Sequence, residues 1–93
     1  MAIGVLVWEL EVLGAQSLKD KRSVLKSLKD RLHDRFQVAV AETDHLDLWQ
    51  RAELTACAVS AGRVQTEKVL QHADEFVAAD SRVRIIGAYR SYF

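Results

Sequence analysis

Proline is absent from this chain, cysteine occurs once, and glycine occurs only four times in 93 residues. The single Cys57 excludes an internal disulfide, a multi-cysteine zinc site and an iron–sulfur cluster. None of the four glycines stands in a phosphate-loop spacing. Neither sign of charge is in excess: thirteen Lys and Arg meet thirteen Asp and Glu. Bulk charge therefore gives no attraction to nucleic acid or to a membrane surface. No apolar run approaches the ~20 residues of a membrane span. The opening stretch, Met1 to Leu10, has no basic leader, and Glu9 interrupts its apolar run. With one cysteine, that pattern predicts a reducing, cytoplasmic setting. What remains is the balance of a folded protein, 49% hydrophobic and 28% charged. The length fits one domain, residues 1–93.

Periodicity supplies the elements. Leu6, Trp8, Leu10 and Val12 recur at period two and predict the core face of a strand over residues 3–12. Val5, Val7, Glu9 and Glu11 form its other, half-solvated face. Ser17 is a candidate helix cap, with Asp20 three residues on. The helix it opens is predicted to reach about Arg35, with Leu25, Leu28 and Leu32 on its apolar side. From Phe36 the period returns to two, with Val38 and Val40 opposing Ala39 and Ala41, and the strand is predicted to end at Glu42 or Thr43. A polar connection over residues 44–47 then leads into a strand over residues 49–60, which predicts an antiparallel hairpin. Val69, Leu70, Ala73, Phe76 and Val77 mark a second helix over residues 63–78. The β-branched and aromatic residues from Val83 to Phe93 predict a last strand.

Strand, helix, strand, strand, helix, strand has few packing solutions. Right-handed crossovers put both helices on one face of a single four-stranded antiparallel sheet. The expected fold is thus an α+β, ferredoxin-like βαββαβ plait. That topology hosts many unrelated activities and decides none of them.

Candidate functional residues come from side-chain sorting. At 100° per residue, Lys19, Arg22, Lys26, Lys29 and His33 fall within one quarter of the first helix's circumference. They would form a cationic row about 20 Å long. Residues 19–35 hold seven basic side chains against three acidic ones. A phosphate backbone would meet such a row, and binding would weaken steeply with salt. The plainer reading is a solvated helix face. Lys21 stands apart, on the apolar side of the helix. Its stem would lie on the sheet with the ammonium snorkelling out, or it would meet an anion near the end of the first strand.

Trp49 beside Arg51 has the composition of a partner anchor. Alternatively, Trp49 caps the core and Arg51 pairs with Asp47 or Glu53. Asp44, His45 and Asp47, with Glu42, carry ligand types a divalent ion accepts. An aspartate capping its own backbone in a turn explains them as well, and no metal or other cofactor is assigned. His45 has no credible nucleophile or oxyanion hole nearby, so no catalytic residue is assigned. Cys57 is expected to be a small buried hydrophobe. The RNA-binding form of this plait stacks bases on aromatics of its central strands. Here the open face offers Val5, Val7, Glu9 and Glu11 beside Thr55 and Cys57, and no stacking platform. Its valines suggest cover by a second copy of the chain.

Two blocks carry a family resemblance. Residues 17–28, SLKDKRSVLKSL, resemble the opening helix of the small bacterial YlxP-like proteins. Residues 40–44, VAETD, followed by residues 47–52, DLWQRA, resemble that family's hairpin. The last strand resembles it least. The resemblance implies a ferredoxin-like domain of unknown function. In many bacteria the family's genes lie beside those for translation initiation factor two and ribosome-binding factor A, which implies a role near translation or ribosome maturation. It brings no catalytic residues with it. The expected protein is a non-enzymatic accessory factor touching ribosomal RNA, a ribosomal protein or a translation factor, with no membrane and no DNA partner. The rival expectation is a homo-oligomeric interaction module using the open sheet face.

Overall fold

A computed structural model describes all 93 residues. In chain order it contains β1 (Ala2–Val12), α1 (Leu18–Phe36), β2 (Ala39–Asp44), β3 (Arg51–Ser60), α2 (Arg63–Ala78) and β4 (Val83–Tyr92). The four strands form one antiparallel sheet in the order β2-β3-β1-β4. Both helices lie on one face, as two right-handed crossovers require. The plait expected from the element order is the fold observed.

The core lies between that face and the helices. Leu6, Trp8, Leu10 and Val12 from β1 meet Leu25, Leu28 and Leu32 from α1, and Leu70, Ala73 and Val77 from α2. Trp8 is wholly buried, and its Nε1 donates to Asp74 Oδ1 on α2 at 2.8 Å. That bond satisfies the one polar atom of the indole. Gly4 lets α2 settle onto the sheet: a Cβ there would stand 2.4 Å from Thr66 Cγ2 and 2.9 Å from Leu70 Cδ1.

Local signals set the helix ends. Ser17 Oγ accepts from Asp20 N at 3.0 Å, as expected of the cap. Asp20 returns the bond one residue further back, accepting from Gln16 N at 3.1 Å. Gln37 ends α1 in the left-handed region at φ 56°, donating its N–H to His33 O. The left-handed residue turns the chain, so β2 begins at Ala39 rather than at Phe36 or Val38.

Three expectations need correction. Val7, on the open face, is buried: the central strand holds it between Thr55 and Tyr89. Cys57 shares that open face and is only partly buried, paired across from Val5 and Ala39. β3 starts at Arg51, so Trp49 belongs to the preceding turn.

Candidate functional site

Seven of the thirteen cationic side chains are paired with carboxylates of the same chain, namely Lys21, Lys26, Arg51, Arg63, Arg82, Arg84 and Arg90. Of the six that remain, Lys19, Arg22, Lys29, Arg31 and Arg35 are on α1, and only Lys68 is elsewhere. Arg35 is engaged otherwise, its guanidinium over the Phe36 and Phe76 rings. Arg31 lies on the α2 side, where its charge helps to lower the Asp80 carboxyl. On the row itself, the cations left for an outside partner are therefore Lys19, Arg22 and Lys29, three of its five predicted residues, with Lys68 alone on α2. The three on the row lie ten steps apart from first to last, about 15 Å along the axis.

The other two are partly committed. Lys26 Nζ donates to Asp30 Oδ2 at 2.7 Å. That hydrogen bond raises the ammonium's pKa and lowers the carboxyl's. Both groups are solvated, so the pair holds little energy and opens readily. His33 Nδ1 meets Val38 O at 3.1 Å, and the ring lines a groove beside β2 with Lys29, Asp30 and Asp34. The aspartates dilute the C-terminal half of the row. Positive charge is therefore densest around Lys19 and Arg22, in the first turns of the helix.

Those turns are fastened to the β2–β3 turn. Lys21 is 1% exposed, and its ammonium does not snorkel out. It stands 2.7 Å from Glu42 Oε2 and donates to His45 O at 2.6 Å. Glu42 Oε2 is buried without an aligned hydrogen bond, so the attraction to Lys21 is Coulombic rather than directional. Spacing along the helix gave no sign of this pair, because its members come from different elements.

His45 sits at φ 60°, and its Nε2 is 2.8 Å from Glu9 Oε1 on β1. Arg51 also binds Glu9, rather than Asp47 or Glu53. The antiparallel register sets Arg51 opposite Glu11 and Glu53 opposite Glu9, so Arg51 reaches diagonally to Glu9. Asp44 Oδ1 accepts from His45 N at 2.7 Å, an aspartate closing its own turn. No three His, Cys, Asp or Glu side chains are grouped to hold a metal ion.

Trp49 does not cap the core. It is 53% exposed, with Leu46 and Leu48 exposed beside it. The arginines of the last strand do not extend the row. Arg84 pairs with Glu11, and Arg90 bonds Gln71 with Asp74 at 3.9 Å.

Arg82 grips Asp80 through Nε and Nη2, at 3.0 and 2.7 Å. These bonds hold the Asp80 carboxyl below the ordinary carboxylate range. A lowered folded-state pKa adds stability that is present above the unfolded value, about 4, and is lost as pH falls through the folded value. Melting temperature measured from pH 7 to pH 2 is expected to drop less steeply below about pH 4 for Asp80→Asn than for the wild type. Parallel curves would remove Asp80 from the acid response.

Residues 3–90 match the family described as protein of unknown function (DUF503). The chain is 43% identical over 75 residues to the uncharacterized protein YlxP of Bacillus subtilis (strain 168), a match covering 81% of this chain and 82% of that protein. Two solved structures share the fold at 12% identity, each aligned over all of this chain. One is Rv0793 from Mycobacterium tuberculosis, with a TM-score of 0.54 over 93% of its chain. The other is the de novo designed protein LFR1 1 with ferredoxin fold, with a TM-score of 0.53 over 83% of its chain. No helix is long and apolar enough to cross a membrane. From the family match over nearly the whole chain and the close sequence relative, the chain belongs to the DUF503 family, the YlxP-like proteins, whose function is uncharacterised.

Proposed function

We propose that the protein is an accessory factor that acts by binding rather than by catalysis. In this reading it contacts ribosomal RNA, at the ribosome or during its maturation, through the α1 flank bearing Lys19, Arg22 and Lys29. The carrying observation is the sorting of unpaired cations. Most cations elsewhere are neutralised by the chain's own carboxylates, while this flank keeps three that are not. Such a row lowers the free energy of a phosphate backbone by releasing its condensed counterions. The gene neighbourhood implied by the family resemblance supplies the translational setting.

Co-sedimentation with purified ribosomal subunits tests this reading. Three phosphate contacts predict affinity falling about 40-fold between 50 and 200 mM salt. Association indifferent to salt would contradict it.

A second reading rests on the open sheet face, where Val59 and Tyr89 are largely exposed around the partly buried Val5. A second copy of the chain would cover these side chains. Light scattering is then expected to give twice the monomer mass, reverting to one on Val59→Lys. A monomer at all concentrations would dismiss it. Val7 is unsuitable for this test because its substitution would damage the fold itself.

A further inference from the structure

Resting on the RNA reading above, we propose that Trp49 is a stacking contact for an unpaired RNA base. The site would then take RNA where a duplex meets a single strand, with α1 on the phosphates and the β2–β3 turn on the base.

Four observations meet at this turn. The first is exposure: Trp8 is wholly buried, whereas Trp49 is displayed. The second is rigidity. Leu48 N donates to His45 O at 3.0 Å, closing the turn. Lys21 Nζ holds His45 O from below, and Gln50 Nε2 donates to Ala15 O at 3.0 Å. Val12 N donates to Gln50 O at 2.9 Å. The backbone on both sides of Trp49 is thus fixed to the end of β1, the loop after it and the first turn of α1, so little backbone ordering cost remains on binding.

The third observation is position. Those same bonds place the turn at the Lys19 and Arg22 end of the row, where unpaired charge is densest. The other exposed aromatics, Tyr89 and Phe93, belong to β4 or follow it, at the far edge of the sheet from β2. The fourth is polarity. Leu46, Leu48 and Trp49 make an apolar tip flanked by Asp44 and Asp47, which repels phosphate and suits the face of a base. A cationic track with an aromatic platform at one end is the division of labour used on unpaired strands.

The test uses the full chain and two loop-free RNA duplexes with the same paired sequence, one blunt at both ends and one carrying a four-nucleotide overhang. Labelled-RNA anisotropy is expected to show about tenfold tighter binding to the overhang form. Trp49→Ala should reduce that affinity to the blunt level; the blunt duplex offers no unpaired base, so its affinity and salt dependence should not change. Trp49→Phe should keep most of the preference. Equal, salt-sensitive affinity of the wild type for both duplexes would overturn this inference and leave the RNA reading standing. So would Trp49→Ala weakening both equally, which would mark a structural role. No salt-sensitive binding to either duplex, or to ribosomal subunits, would overturn both. Loss of subunit association in Trp49→Ala without any overhang preference would assign the tip to a protein partner instead.

Discussion

Lys21→Met is expected to lower stability by about 3 kcal/mol, while Lys21→Met combined with Glu42→Leu recovers most of the loss. Lys21 is buried on the apolar side of α1, and the Glu42 side chain opposite it is only 12% exposed. Removing the ammonium leaves a carboxylate with little water and no aligned donor on Oε2. Breaking such a pair costs 3–5 kcal/mol by analogy with buried ion pairs, and the residual exposure of Glu42 puts the value at about the lower end. In a domain of this size that is a fall of roughly 12–24 °C in Tm.

Replacing both partners removes the desolvation cost along with the attraction, so the double variant is expected within about 1–2 kcal/mol of wild type. Chemical denaturation of the two single variants and the double variant measures the coupling. Losses that simply add would show that the two groups do not act as a pair. A functional consequence follows as well. Lys21 also holds His45 O, so the single variant should loosen the turn that displays Trp49.

The second large effect concerns partner binding. Neutralising Lys19, Arg22 and Lys29 with Gln is expected to weaken RNA binding on the order of a hundredfold at about 0.1 M salt. The informative control removes the same three charges elsewhere. Arg63, Arg84 and Arg90 face Glu67, Glu11 and Asp74, so their loss changes net charge equally but deprives RNA of nothing. That variant should bind within a few-fold of wild type. Equal losses in the two variants would mean that bulk charge, rather than this flank, governs association. Asp30→Asn carries the opposite sign, since it frees Lys26 and adds a cation to the row.

Periodicity made the helix row and the strand faces legible, because each depends on spacing within one segment. α2 occupies the span its apolar stripe predicted, Arg63–Ala78. Pairing between segments was not legible. Which carboxylate meets Arg51 depends on the β1–β3 register and on a diagonal reach to Glu9. Which one meets Lys21 depends on how far β2 runs before its irregularity between Glu42 and Asp44. The residues after Trp49 suit a strand, so spacing alone places Trp49 in it. The turn from His45 to Leu48, with His45 at positive φ, instead delays β3 to Arg51 and leaves the indole in solvent.

The most direct measurement is the affinity of the wild-type chain for a structured ribosomal RNA fragment as a function of salt. Log K is expected to fall linearly with log salt concentration at a slope of about −2 to −3, and this slope to approach zero once Lys19, Arg22 and Lys29 are neutral. A flat dependence in the wild type, or a slope that survives their neutralisation, would contradict it.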